Sequence, residues 1–367
     1  MIVPQLREEY GLSLGQIGVL LAAPWIGTTL TLLPWGLATD RFGERVVLAV
    51  ALGGAALCLL ASAFASTFEV LLALLGLVGA LGGAVNSASG RAVMHWFAPD
   101  ERGLALGVRQ TAIPLGGFVA ALTLPSVAHA GGTSAAFAYL GALSAAGALI
   151  GALVLRGREP PDGIESSSVR RTIGDSRLWR VSGASGLYVY AQTAVMGFGV
   201  VFLVDEHDFS EQTAALVFAG GLVLAMAARI GAGRWSDRMG ARIVPLRRVG
   251  VAMIAAMLVT AVLAEGPSDV LVPVLILACG LTMAWNGLAF TAAAELAGPA
   301  RSGAALGVQQ TVLSAAGVAA PLLFAASVSH SSWAAAFALS AVFPLAGWVL
   351  LETLREDRRV RFESDRH

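Results

Sequence analysis

The stretch GRWSDRMGAR at residues 233–242 interrupts a chain written mostly in Ala, Leu, Val and Gly, and GLATDRFGER at residues 36–45 writes the same pattern earlier. Both read Gly-x-x-x-Asp-Arg-x-Gly-x-Arg, and both follow an apolar run. Asp40 and Asp237 stand 197 positions apart. ALGVRQT at 105–111 returns as ALGVQQT at 305–311, and Asn86 returns as Asn286, both at an offset of 200. The chain therefore reads as two copies of one unit.

Composition says what kind of unit this is. Of the 367 residues 56% are hydrophobic and only 13% charged, and the mean hydropathy is +0.74. That apolar share exceeds what a soluble globular domain carries and marks a membrane protein. All 24 basic residues are arginine. The two cysteines, Cys58 and Cys279, fall in separate apolar runs, so neither a disulfide framework nor a metal cluster is expected.

A hydrocarbon core about 30 Å thick needs about 20 apolar residues as helix. Runs of that kind cover 16–35, 46–65, 68–93, 103–128, 134–155, 179–204, 211–233, 243–264, 270–293, 303–328 and 333–354. These eleven spans predict an all-α polytopic protein of two pseudo-symmetric helical bundles, five helices in the first and six in the second. The expected parts are an N-terminal bundle at 1–155, a linker at 156–178, a C-terminal bundle at 179–354 and a tail at 355–367. In the second copy the helix at 179–204 precedes the polar joint DEHDFSEQ. In the first copy REEYGLSLGQ takes the place of that joint, Ser13 falls opposite Ser210, and only six residues come before it. The counterpart of the helix at 179–204 is thus missing, and the expectation is a start placed inside the gene or a truncated product.

Arginine placement orients the spans. Arg41, Arg45, Arg102, the cluster from Arg156 to Arg180, Arg234 to Arg248, Arg301 and the tail from Arg355 fall on one side, leaving Arg7 on the other. By the positive-inside rule the arginine-rich side is cytoplasmic. Both motif joints, the linker and the C-terminus are then expected inside a cell's cytoplasmic membrane.

Two units of this kind, each with the motif after its second helix, resemble the major facilitator superfamily (MFS) of secondary transporters, and the resemblance covers essentially the whole chain. Gly36, Asp40, Arg41, Gly43 and Arg45 match the family's loop in the first half, and Gly233, Asp237, Arg238, Gly240 and Arg242 match it in the second. In the family this loop contacts the start of a helix in the other half and gates the inner side. The resemblance implies that Asp40 caps the helix beginning near Ser302 and pairs with Arg301, while Asp237 does the same near Gly103 with Arg102. A carboxylate there meets unpaired N–H groups and the positive end of the helix dipole.

Three arginines fall within spans: Arg91, Arg109 and Arg229. An intramembrane charge costs about 2.5–3.5 kcal/mol on insertion scales and is functional by default. Arg91 lies about 7 Å from the boundary at Trp96 and can snorkel, which favours a structural role. Arg109 lies about 10 Å past Arg102, and Arg229 about 12 Å before Asp237, so both reach deeper. The resemblance places their helices, the fifth and the eighth, facing one another. Arg109 and Arg229 are therefore the candidate ligands of an anionic substrate, with Asn86, Asn286, Gln110, Gln309 and Gln310 as neutral partners. Pro114 is expected to bend its helix.

His95 and His129 are isolated, and no HExxH occurs. The chain reads as no enzyme, with no cofactor, no metal and no nucleic-acid partner. Its partners are a small-molecule substrate, a coupling ion and the lipid bilayer, with a monomer expected. The reading is a secondary active transporter of a small solute, an organic anion by its arginines, working by alternating access. The alternatives are a drug or metabolite efflux protein and a truncated remnant that transports nothing.

Overall fold

The computed structural model describes Leu6, residues 9–12, residues 14–155 and residues 171–354. Arg7, Ser13, residues 156–170 of the expected linker and the tail at 355–367 lie outside the described residues. The first half contains α1 (Leu14–Phe42), α2 (Glu44–Ser62), α3 (Phe68–Gly82), α4 (Ala84–Trp96), α5 (Arg102–Gln110) and α6 (Ala112–Val154). The second contains α7 (Ser176–His207), α8 (Glu211–Met239), α9 (Ile243–Val262), α10 (Ser268–Met283), α11 (Trp285–Ala297), α12 (Ser302–His330), α13 (Trp333–Ser340) and α14 (Val342–Glu352).

Among the described residues ten helices are long and apolar enough to cross a membrane. The expected span 103–128 is divided between two helices, and the turn between them has a covalent cause. Pro114 has no N–H to offer the carbonyl of Gln110 four residues back, so the helical ladder loses a rung there. α5 ends at Gln110, the Thr111 N–H turns back onto the Val108 carbonyl at 3.0 Å, and α6 begins at Ala112. The joint expected after residue 128 shrinks to a kink inside α6, where Gly131 and Gly132 leave helical angles, Gly132 at φ 71°. The eleven-span reading holds, with its fourth span divided between α5 and the first part of α6.

The second revision concerns the motif. The spans expected to stop at 35 and 233 run on to Phe42 and Met239, which puts Asp40 and Asp237 in last helical turns rather than loops. Nothing in WGLATDRF stops a helix. The turn is made by the motif's last glycine: Gly43 at φ 80° and Gly240 at φ 58° take the left-handed angles that a side chain disfavours.

The described chain gathers into two compact units, and neither is a simple half of the sequence. One comprises 1–92, 113–174 and 297–311, and the other 93–112, 175–296 and 312–367. In the first unit α3 packs on α1 and α2. Its core joins Leu20, Leu59, Leu71 and Phe137 to Leu6 and Leu12 ahead of α1. In the second unit α8 packs on α10 and α5, and α7 on α14. Apolar side chains on the outside, such as Trp25, Leu30, Leu153 and Leu216, are exposed as lipid-facing residues are.

Candidate functional site

Each unit contains one motif, one foreign helix start and one cluster of charges. In the first unit the Asp40 carboxylate accepts the Gly303 N–H at 2.9 Å and the Ala304 N–H at 2.7 Å. These are opening N–H groups of α12, which an α-helix leaves without partners of its own. In the second unit Asp237 accepts the Gly103 N–H at 2.9 Å and the Leu104 N–H at 2.7 Å, at the start of α5. Gly36 and Gly233 permit these approaches. A Cβ on Gly36 would sit 2.5 Å from the Gly303 carbonyl oxygen, and one on Gly233 would overlap that of Gly103.

The cations beside these acids are not those named from the sequence. Arg301 reaches the Thr172 hydroxyl at 3.5 Å, and Arg102 donates to the Phe97 and Met94 carbonyls at 3.2 and 3.0 Å. Asp40 instead has Arg91, whose Nε lies 3.2 Å from Oδ1, while Arg91 Nη1 lies 2.9 Å from Glu44. Arg91 and Glu44 are each only 1% exposed. Asp237 has Arg242 at 2.6 Å, and Arg242 also grips both oxygens of Glu295 at 3.1 Å. A sequence distance is a poor guide to such pairs, because Arg91, three helices on, meets Asp40 while Arg242, five residues on, meets Asp237.

Glu44 and Glu295 escaped the sequence reading altogether. Glu295 is the one acid in the last turn of α11, a signal that was legible but lacked a partner to give it meaning. Burial would strip Arg242 of its proton more easily, but Glu295 and Asp237 outweigh that and hold its pKa above the ordinary arginine value. Arg102 is lowered by burial, against the pull of Glu295 and with the help of nearby Arg242. The other motif arginines are less engaged. Arg41 lies over the ring of Phe42 at 5.3 Å, and Arg45 is exposed. Arg238 occupies the last turn of α8.

Deeper in the second unit the two candidate ligand arginines meet at one residue. Arg109 Nη1 donates to the Gln110 side-chain oxygen at 3.0 Å, and Arg229 Nη1 donates to the Gln110 backbone oxygen at 2.7 Å. Arg229 Nε also donates to the Met283 carbonyl at 3.1 Å, which receives Asn286 Nδ2 at 3.2 Å as well. Asn286 in turn donates to Gln192 Oε1 at 3.2 Å, bringing in a residue of α7 that sequence reasoning passed over. Arg109 lies over the ring of Phe290 at 5.8 Å. No carboxylate among the described residues stands within ion-pair distance of Arg229, which is 4% exposed. Asn86, Gln309 and Gln310 belong to the first unit; Gln309 is buried and the other two are half-buried.

The comparisons with known proteins bear on this arrangement. In solved structures, the E. coli fucose:proton symporter FucP superposes with a TM-score of 0.78 over 96% of this chain and 92% of its own, at 16% identity, which is a likeness of fold. An uncharacterized MFS-type transporter of Mycobacterium tuberculosis is 35% identical over 352 residues, 94% of this chain and 78% of that protein. Shorter matches join the chain to the hexuronate transporter of Bacillus subtilis, 31% identical over 32% of this chain and 28% of that protein, and to the gallate transporter of Pseudomonas putida, 32% identical over 34% and 28%. The model of the Major Facilitator Superfamily matches residues 1–321. With its duplicated helical units and paired Asp-to-helix contacts, the chain is a multi-pass membrane transporter and belongs to the Major Facilitator Superfamily.

Proposed function

We propose that this protein is a secondary transporter of a small hydroxylated organic acid, moved across the cytoplasmic membrane by alternating access and driven by an ion gradient or by exchange. The observation that carries the reading is the pair of guanidinium groups, Arg109 and Arg229, converging on Gln110 within apolar helices. Two cations there lower the free energy of an anion more than that of a neutral solute, and the dry surroundings strengthen the effect. Arg109 is the carboxylate ligand, and Gln110, Asn286 and Gln192 supply donors and acceptors for hydroxyl groups. Hexuronate and gallate, named for two relatives, combine one carboxylate with several hydroxyls, as this set of side chains would require.

The caps at Asp40 and Asp237 are the closing contacts of the cycle in this reading, on the side rich in arginine, which is the cytoplasmic side together with the C-terminus. The test is uptake into proteoliposomes of labelled galacturonate, galactonate and gallate, set against galactose. Uptake of at least one acid over the neutral sugar is expected. Arg109→Gln should lower it by roughly 10- to 100-fold, the factor that a charge-assisted hydrogen bond of about 1.5–3 kcal/mol represents. Equal handling of acid and sugar, or wild-type uptake by Arg109→Gln, would overturn the assignment.

A further inference from the structure

Helix α5 has nine residues, and its partner α8 holds it at both ends. Asp237 accepts the Gly103 and Leu104 N–H groups, and Arg229, eight residues earlier on α8, donates to the Gln110 carbonyl at the other end. An acid stands at the positive end of the helix and a cation at the negative end, the arrangement that complements a helix dipole. The carbonyl taken by Arg229 is the one Pro114 leaves without an intrahelical donor. Between the two ends the backbones nearly touch: a Cβ on Gly107 would lie 2.6 Å from the Arg229 carbonyl oxygen.

The other half of the repeat has only one end of this device. Asp40 caps α12 as Asp237 caps α5, but the position corresponding to Arg229 is Leu32, and the one corresponding to Pro114 is Ser314. Arg229 has a second attachment, to the Met283 carbonyl where α10 gives way to α11. It thereby ties the end of α5, with Arg109 and Gln110, to the helix break that carries Asn286.

We propose that Arg229 is a positioning residue, which locks the broken end of α5 to α8 and α10 and makes the α5–α8 contact the more durable of the two closing contacts. This goes beyond the reading of the substrate and is independent of what is transported. Its readout is amide hydrogen exchange of the full chain in lipid nanodiscs, without any solute. In the wild type α5 exchanges more slowly than the opening turns of α12. Arg229→Leu, which writes the residue found at the corresponding position, speeds exchange in α5 by about tenfold, the factor of a loss near 1.4 kcal/mol, and leaves α12 unchanged.

Pro114→Ala in the Arg229→Leu background returns an N–H to the Gln110 carbonyl and slows α5 again, a rescue that lost packing alone would not show. If Arg229→Leu fails to insert, Arg229→Lys serves instead. A single ammonium cannot span both carbonyls as the guanidinium does, so α5 exchange is intermediate. Unchanged α5 exchange in a folded Arg229 variant, or faster exchange that Pro114→Ala does not reverse, overturns the proposal.

Discussion

Arg91 does for Asp40 what Arg242 does for Asp237, from a position that does not correspond to it in the repeat. Thr291 stands where Arg91 would recur, and Arg242 recurs in the first half as Arg45, which is exposed. The acids are exchanged the other way. Glu295 sits on α11, where the first half has His95 on α4, and Glu44 sits within the motif, just before Arg45, where the second half has Ala241. Each unit thus assembles Asp, Arg and Glu at a helix start, but the arginine and the glutamate have traded places between helix and motif.

This trade makes equivalent positions unequal. Arg242→Ala leaves Asp237 and Glu295 without their shared cation and should destabilise the protein by about 3 kcal/mol or more. Arg45→Ala, at the matching position, should stay within about 0.5 kcal/mol. Thermal unfolding of the purified variants in detergent separates the two, and equal shifts would contradict the assignment.

The glutamates should differ as well. Glu44 is fully buried against Arg91, whereas 27% of the Glu295 side chain is exposed. Glu44→Gln is expected to cost about 3–5 kcal/mol, as loss of one partner of a buried pair does. Glu295→Gln, screened by solvent, should cost about 1 kcal/mol. The melting temperatures of the two variants give the order directly.

Gly233→Ala drives a methyl group into the Gly103 carbonyl, and Gly36→Ala does so at Gly303. Either should cut transport by more than about tenfold, with the protein still inserted, because the helices cannot close to the distance the caps require. Gly53→Ala is the control: nothing lies within 4 Å of its Cβ, and helix propensity favours alanine by up to about 1 kcal/mol. Uptake assays on matched expression levels check all three.

Gln192→Ala removes the acceptor of the Asn286 amide. Interhelical hydrogen bonds in membranes are worth about 0.6–1.7 kcal/mol. The apparent affinity for the organic acid should therefore fall by roughly three- to twentyfold. A concentration series of uptake is sufficient, and an unchanged half-saturation value would remove Gln192 from the site.

Much of the fold is legible in the sequence because it is written in periods. Apolar runs of membrane length, the offset near 200 and the doubled motif together lead to two helical units, and Pro114 marks where one span breaks. The helix starts that the motif acids meet follow from the resemblance to the family, and the structure places both acids on them. Their gating role is part of the proposal above. What the sequence conceals is pairing across helices. Arg301 and Arg102 precede the capped starts by one residue, yet their side chains turn to Thr172 and to the Met94 and Phe97 carbonyls. Arg91 looked like a snorkelling residue by depth, but two buried carboxylates hold it in place. Gln192 carries no motif, and only its bond to Asn286 singles it out.

The interleaving of the units has a consequence for how the chain is made. Domains generally fold as units during synthesis, the N-terminal one first, as the ribosome adds about 5–20 residues per second. Here the unit that begins at the N-terminus includes residues 297–311, so the cap of Asp40 on the Gly303 and Ala304 N–H groups cannot form until the ribosome has passed Ala304. For most of translation the early helices are in place before the helix start that Asp40 caps. A nascent chain halted at the linker would be an unfinished object, and two halves made separately would need one another to complete either unit.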